Sequence, residues 1–392
     1  MENIKILFCG DFTAKAETLN LINENKSSEI LEEAKDYLYD KDLSVINLEC
    51  PLTKKNNPIV KTGPNNKMDP KCVDFLNQGK FDVINLANNH IGDYGDEGLF
   101  ETIETLNNNG FKHLGAGKNI NEITKPLNIN IKGVMFSFLS FAENEFGIAR
   151  TNTPGVSPLN LPENIKLIKK VKKHTDNVIV LIHGGNEFNP VPNPHTVSNY
   201  RSFIDAGASA VIAMHTHCPQ GYEIYDNGCI VYSLGNFLFS SINKQPNVWW
   251  IGYMAKLTFT KQGFGGIELT PYTTAPAGLK INILKNENKE FFFKYINRLS
   301  EIIADEKELN EFWKAWCMIN GKKWLNDIQK YEPDKSTDDE NFKMLCSAMH
   351  RLTCESHNYL ITDYLKFKYL NVKNYDSYIN KIKMLQDYKL DN

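Results

Sequence analysis

The sequence predicts an α/β protein followed by a helical extension, on three observations. Short apolar runs recur, nearly continuous in Val, Ile, Leu and Phe, and each ends in polar or glycine residues. Runs of that kind are expected for strands covered on both faces. Segments with helical periodicity lie between them, and this alternation is the mark of α/β architecture. Beyond residue 285 the strand-like runs stop and only helical periodicity continues.

The predicted strands are 4–10, 43–49, 81–89, 134–141, 178–184, 210–217 and 230–236. A helix over 97–109 repeats apolar residues at Phe100, Ile103 and Leu106 and stops at Gly110. A second, over 162–174, places Ile165, Ile168 and Val171 on one side, with Pro162 near its start. A third, over 197–206, ends at Gly207. Residues 254–260 and 266–272 read as two strands joined by a glycine-containing turn. Helices are then expected over 291–304, 309–328, 339–352 and 359–369. In the second of these, Leu309, Phe312, Trp313, Trp316 and Ile319 fall largely along one face, either a core stripe or an exposed recognition stripe, and Gly321 is a place for the helix to bend or end. The domains are therefore drawn as 1–285, an α/β unit, and 286–392, a helical extension, with the boundary near Glu290.

Composition narrows the class. The chain has 392 residues, 42% hydrophobic and 23% charged, which fits a folded protein and excludes a disordered or fibrous one. Its formal net charge of -3 lacks the basic excess of non-specific nucleic-acid binding, so no nucleic-acid partner is expected. Eight scattered cysteines without CxxC pairs argue for a reducing compartment. Residues 4–10 read as a core strand rather than a signal peptide, and no run approaches a membrane span, so a cytoplasmic protein is expected. His350, Cys354 and His357, with Cys346 nearby, have the residue types of a zinc knuckle, although packing on a helical face is the commoner reason for such a group.

The chemistry gathers at strand ends, where open α/β sheets form their ligand crevice. Asp11, Glu49, Asn88-Asn89-His90, His183, His215, His217 and Asn236 all follow or close predicted strands. Bringing such carboxylates and imidazoles together is costly without compensation. Their types fit a dinuclear metal site: Asp11 or Glu49 as a bridging carboxylate, neutral His183, His215 and His217, and the weaker oxygen ligand Asn89. His215 and His217, two apart in extended backbone, point to one side and can reach neighbouring metals. His90 is read as the residue that hydrogen-bonds the reacting group and protonates the leaving group. Glu187, in His183-Gly184-Gly185-Asn186-Glu187-Phe188, can orient His183, act as general base, contact a substrate amine, or be a plain surface carboxylate. Asn88 and Asn236 are read as substrate-binding. His195 lies on a Pro-rich loop without a motif of its own, while His113 and His174 read as helix-end or surface residues.

These motifs, with Gly10-Asp11, Asn47-Leu48-Glu49, Asp93-Tyr94-Gly95, Gly115-Ala116-Gly117, His215-Thr216-His217 and Tyr232-Ser233-Leu234-Gly235-Asn236-Phe237, occur in one order through residues 4–240. In that order the chain resembles the CapA family of poly-gamma-glutamate capsule synthesis proteins, within the calcineurin-like metallophosphoesterase superfamily. The resemblance implies a four-layer α/β/β/α sandwich with two divalent metals, Zn, Mn or Fe, at the strand ends. It places Asp11, Glu49, Asn89, His183, His215 and His217 at metal positions and His90 at that of the catalytic histidine. It also implies a metal-dependent hydrolase in poly-gamma-glutamate synthesis or processing, cleaving gamma-glutamyl amide bonds. Two alternatives stand beside it: a phosphoester hydrolase acting on a small phosphorylated substrate, and a non-catalytic metal-binding protein that holds the polymer or a synthetase. A protein partner is also a candidate for the C-terminal helices.

The sequence departs from the family pattern at several points. Asp11-Phe12-Thr13 lacks the histidine of the superfamily's Asp-x-His. Gly184 stands where a Trp is usual, which is expected to widen the pocket. Met214 and Thr216 replace the usual Gly or His and the Pro of the paired-histidine motif, and the N-terminal membrane anchor common in capsule proteins is not seen.

Overall fold

The computed structural model describes residues 3–241, 243–335 and 338–388. Two sheets pack face to face. In the first, Ile4–Thr13 is central, parallel to Leu43–Leu48, which is followed outward by Val83–Asn85 and Lys112–Leu114. On its other side run the antiparallel strands Ile251–Thr260 and Gly263–Thr273, then the short Asn282–Ile283. The second sheet has the order Tyr222–Tyr225, Gly228–Val231, Ala210–Met214, Asn177–His183, Val134–Ala142, Leu127–Ile131.

Alternation along the central strand shows the layering. Ile4, Ile6 and Phe8 join the core shared with the second sheet, including Phe136, Phe138, Val180 and Ile212. Leu7 and Cys9 point the other way, into a core with Phe75 and Leu76 of the Val73–Gln78 helix and Leu99 and Leu106 of Gly95–Asn108. Helices Leu161–Lys172 and Pro194–Asp205 cover the outer face of the second sheet, with Ile168, Val197 and Phe203 buried on it. The arrangement is an α/β/β/α sandwich, with additional helices after it.

Differences from the sequence reading lie in short or half-exposed elements. The apolar run at 81–89 is a strand only over Val83–Asn85, because residues 86–94 leave the sheet to carry site residues. Leu127–Ile131 and Tyr222–Tyr225, both at sheet edges and partly exposed, lack the continuous apolar character that marks the inner strands. The hairpin of Ile251–Thr260 and Gly263–Thr273 is tighter than expected, its second strand starting three residues earlier, so the glycines at 263 and 265 lie within a strand rather than in the turn.

Helices Asn286–Ala304, Glu306–Gln329, Asp339–Thr353, Glu355–Tyr369 and Asp376–Gln386 follow. Asp305 caps Glu306–Gln329 by accepting from the amides of Lys307 and Glu308, and Asp338 caps the next helix through Asn341. Leu309, Phe312, Trp313 and Trp316 are buried, a core stripe, while Ile319 is 40% exposed. Gly321 neither bends nor ends its helix. A Cβ there would lie 2.2 Å from Cγ of Tyr364, so the glycine lets Glu306–Gln329 cross close against Glu355–Tyr369. No helix among the described residues is long and apolar enough to cross a membrane, and the cysteines are all free.

Candidate metal centre

Carboxyl ends of strands from both sheets converge on one buried polar cluster. Asp11 sits in the central strand at a register shift, which re-aims the side chain. Its Oδ1 accepts from Asn47 Nδ2 at 2.7 Å and its Oδ2 from the His215 amide at 3.0 Å. Glu49 follows Leu43–Leu48, fully buried, and neither of its carboxylate oxygens has a hydrogen-bond partner. His183 ends Asn177–His183, and His215 and His217 follow Ala210–Met214.

Two ligand groups result, each with its atoms within 4.8 Å of one another: Glu49, His183 and His215, and Asp11, Glu49 and His217. Glu49 belongs to both. Its Oε1 lies 3.7 Å from His183 Nε2 and 3.6 Å from His217 Nε2, too far for hydrogen bonds and close enough for ligands that share an ion. An unpartnered buried carboxylate costs several kcal/mol, so the orphaned Glu49 oxygens mark a place that divalent cations fit. Burial raises the Asp11 pKa to about 6, and burial together with the Asp11 charge holds Glu49 well above the usual carboxylate range. Burial likewise holds His183 far below the usual imidazole range and lowers His217 to about 3, so both rings are neutral donors. Burial also opposes charge on His215, but the carboxylates Glu145, Glu187, Glu143 and Asp11 together raise it.

The paired histidines reach the groups differently from the extended arrangement expected. The strand stops at Met214, and His215 and His217 adopt φ of 105° and 55°. The strained turn, rather than pleat alternation, aims the two rings at different groups. His217 Nδ1–H donates to Asn236 Oδ1 at 2.8 Å, which leaves Nε2 for the centre, and Trp249 and Phe239 flank the ring.

Asn89 bridges the sheets: Oδ1 is 3.0 Å from His183 Nε2, and Nδ2 donates to Glu145 Oε2 at 3.1 Å. The Asn88 amide is fully engaged, donating to the Leu48 carbonyl and accepting from the His90 and Ile91 amides. Asn236 is engaged similarly, by His217 and the Trp249 carbonyl. His90 Nδ1 is 2.7 Å from Asp93 Oδ2, and Lys61 ion-pairs with Asp93. Lys61 Nζ also lies 3.0 Å from Nδ1, but the shorter carboxylate contact assigns the ring proton to the Asp93 bond. Burial, with the Lys61 charge, lowers the His90 pKa. Glu187 is exposed on the rim of the cleft, with no hydrogen bond to His183 among the described residues. His195 lies apart, paired with Asp363 and stacked on Tyr359, and His113 contacts Asn107.

Glu143 and Glu145, absent from the sequence reading, follow Val134–Ala142 at its carboxyl end. Glu145 Oε1 is 3.2 Å from His215 Nε2, and Oε2 is 3.0 Å from His350 Nε2. The strand-end rule that found the other residues applies equally to them. Gly184 does not widen the pocket, as its replacement of Trp suggests: a Cβ there would lie 2.6 Å from Glu143 Cγ, so that side chain fills the space. From it Glu143 accepts from Ser356 Oγ at 2.6 Å and Cys354 Sγ at 3.2 Å, tying the helical layer to the centre.

Beside the centre, reached by Asn89 and Glu145, lies a cavity of about 550 Å³ between the sandwich and that layer. Asn89, His90 and Glu145 line one wall; Lys323, Arg351 and Lys383 of the helices line the other. No described carboxylate pairs with Lys323 or Lys383.

The chain is 29% identical over 247 residues to "Capsule biosynthesis protein CapA" of Bacillus anthracis, covering 61% of this chain and 60% of that protein. It is 29% identical over 288 residues to "PGA biosynthesis protein CapA" of Bacillus subtilis (strain 168), covering 71% and 75%. The match thus spans about three fifths of the first relative's length and three quarters of the second's. Among solved structures, a hypothetical protein from Thermus thermophilus aligns over 69% of this chain and 99% of its own, at 15% identity and TM-score 0.45. Residues 5–241, which hold every strand-end residue of the centre, match the family described as "Bacterial capsule synthesis protein PGA_cap", and the chain belongs to that family.

Proposed function

We propose that this protein is a metal-dependent hydrolase that cleaves gamma-glutamyl amide bonds of an anionic glutamate polymer. The observation that carries the reading is the pair of ligand groups sharing the orphaned Glu49, beside a cleft walled by Lys323, Arg351 and Lys383. Asp11, Glu49, His183, His215 and His217 hold two divalent ions, with Asn89 as a further oxygen ligand; the ion set suits Zn, Mn or Fe. Divalent ions held there would supply polarisation of a scissile carbonyl or phosphoryl group and activation of water at neutral pH.

The chain's own groups do the rest. His90, neutral because its pKa is lowered, has Nδ1–H on Asp93, and its Nε2 lone pair meets only the Asn66 amide, a long 3.3 Å contact that a water O–H can replace. Nε2 takes a proton as water oxygen bonds to the carbonyl carbon, and Asp93 stabilises the imidazolium. The same proton passes to the departing nitrogen as the C–N bond breaks, giving an amine and a carboxylic acid, whose own proton is then lost to the amine or to solvent. Asn88 and Asn236 act here as positioning residues, holding the His90 loop and the His217 ring. Glu187, on the rim, is placed to meet a substrate amine rather than the reacting carbon. The cationic wall neutralises the free alpha-carboxylates along the polymer. The free cysteines suit a cytoplasmic site of action.

The test is incubation of the metal-loaded full chain with poly-gamma-glutamate, reading polymer length and new amino termini, beside a panel of small phosphoesters. Metal-dependent shortening of the polymer is expected. Phosphoester turnover without shortening overturns amide cleavage in favour of the phosphoesterase reading. Full metal occupancy with polymer binding and no turnover on either panel identifies a binding accessory.

A further inference from the structure

A second set of metal-ligating side chains lies across the cleft, in the helical layer. His350 is in the last turn of Asp339–Thr353, Cys354 joins that helix to Glu355–Tyr369, and His357 is in the first turn of the latter. The helix–cap–helix turn brings one ligand atom of each within 4.8 Å of the others. Cys354 is fully buried, and His357 and the His350 side chain nearly so. Cys346 stands outside the group, its thiol against the Val60 carbonyl at 3.8 Å.

We propose that His350, Cys354 and His357 bind a Zn²⁺ ion, with the Glu145 carboxylate as fourth ligand. Two imidazoles, a thiolate and a carboxylate oxygen make a donor set that zinc takes in tetrahedral sites. The ring orientations suit it. Glu145 Oε2 lies 3.0 Å from His350 Nε2 and holds the ring proton there; on loading that proton moves to Nδ1, where Thr62 Oγ1 at 3.1 Å accepts it, and Nε2 is freed for the ion. His357 Nε2 takes no hydrogen bond among the described residues. Cys354 is the N-cap of a 15-residue helix; burial and the Glu143 and Glu145 charges hold its thiol well above the usual range, so the thiolate forms only with the ion in place.

Loading requires two further changes, at Cys354 and Arg351, and the structure holds an alternative partner for each displaced group. The Cys354 thiol, which donates to Glu143 Oε2 at 3.2 Å, releases its proton to solvent as the sulfur coordinates; Glu143 keeps Ser356. Arg351, 3.3 Å from His357 Nδ1, withdraws from that nitrogen so that it can carry the ring proton. The guanidinium keeps Asp327 at 3.3 Å and the Trp324 face at 4.4 Å. Because Glu145 also contacts His215, one carboxylate would link this ion to the strand-end centre and fix the helical roof over the cleft.

Cobalt substitution tests the proposal without an activity assay. The strand-end groups contain no sulfur, so thiolate-to-cobalt charge-transfer absorption reports this site alone. The full chain, stripped with chelator and reloaded with Co²⁺, is expected to show that band, to lose it in Cys354→Ser and to keep it in Cys346→Ser. Elemental analysis of zinc-loaded Cys354→Ser is expected to show a loss of about one ion per chain. Absence of the band in wild type while cobalt fills the strand-end groups overturns the proposal, and that outcome needs no folded variant. A band that survives Cys354→Ser overturns it equally. A wild-type protein that shows the band but leaves the strand-end groups empty upholds this site and defeats the hydrolase reading instead.

Discussion

The first sheet brings oxygens to the centre, Asp11, Glu49 and Asn89, while the second brings imidazoles, His183, His215 and His217. The oxygens are buried carboxyl groups: burial raises Asp11 to about 6, and burial with the Asp11 charge holds Glu49 well above the usual carboxylate range. Among the imidazoles, burial holds His183 and His217 neutral. Neither set is favourable alone, since the carboxylates repel and the neutral rings cannot neutralise them. Cations between the sheets resolve both problems at once, which makes the centre a staple as well as a reaction site. The two sets therefore fail differently when broken.

The largest effect is expected on the oxygen side. Glu49 belongs to both ligand groups, so Glu49→Gln should lower affinity at both ions by more than the roughly 10–100-fold that attends loss of an outer partner. His217→Ala touches one group and should leave the other ion in place. His113→Ala and His174→Ala should retain full metal. Elemental analysis of the folded variants decides; equal metal in Glu49→Gln and His217→Ala would show that Glu49 is not shared.

His90 belongs to neither set. Its ring is held by Asp93 and Lys61, away from the ligand groups. His90→Ala should keep metal and thermal stability while lowering turnover by roughly 10²–10⁴-fold. A variant that loses metal would make His90 a ligand, and one with wild-type turnover would remove it from the reaction.

Much of this contrast was legible in the sequence, because buried parallel strands announce themselves as apolar runs and their carboxyl ends are where polar residues gather. Asp11, Glu49 and His183 follow from that rule. Glu143 and Glu145 obey it too, after an equally plain run, yet carry no histidine neighbour to draw notice. The left-handed turn at His215 and His217 was not legible, since nothing local favours positive φ at histidine and the surrounding contacts impose it. Gly184 misled for a related reason: a missing side chain reads as space until the neighbour that fills it is known. The helical layer's capping residues were readable, but its docking on the cleft depends on contacts more than a hundred residues apart, such as Ser356 with Glu143.

The oxygens and the rings should also part in their pH response. Metal must displace protons from Asp11, Glu49 and His215, whose pKa values are raised, while His183 and His217 are already neutral. Below about 6, where the metal-free protein protonates Asp11, apparent metal affinity should fall by about tenfold per pH unit for each proton displaced. Above that value the Asp11 contribution flattens, and any remaining slope belongs to Glu49 and His215. Competitive chelator titrations from pH 5 to 8 give the profile. Affinity independent of pH below 6 would mean that Asp11 is not a ligand.

The smallest effect is expected across the cleft, where the helices face both sets. Lys323 and Lys383 are exposed, line the cavity and have no described carboxylate partner. They can touch only parts of the substrate remote from the reacting bond, so they should bind ground state and transition state alike. Lys323→Ala with Lys383→Ala should therefore raise KM for a polyanionic substrate and leave kcat unchanged. Exposed charge pairs contribute about 0.2–1 kcal/mol each, so the double variant should shift KM by roughly 2–30-fold. Added salt should bring wild type and variant together, because screening removes what the substitutions remove. A short uncharged analogue should show no difference at any ionic strength. A fall in kcat with KM unchanged would instead place these lysines in the transition state and give the helical layer a part in the chemistry.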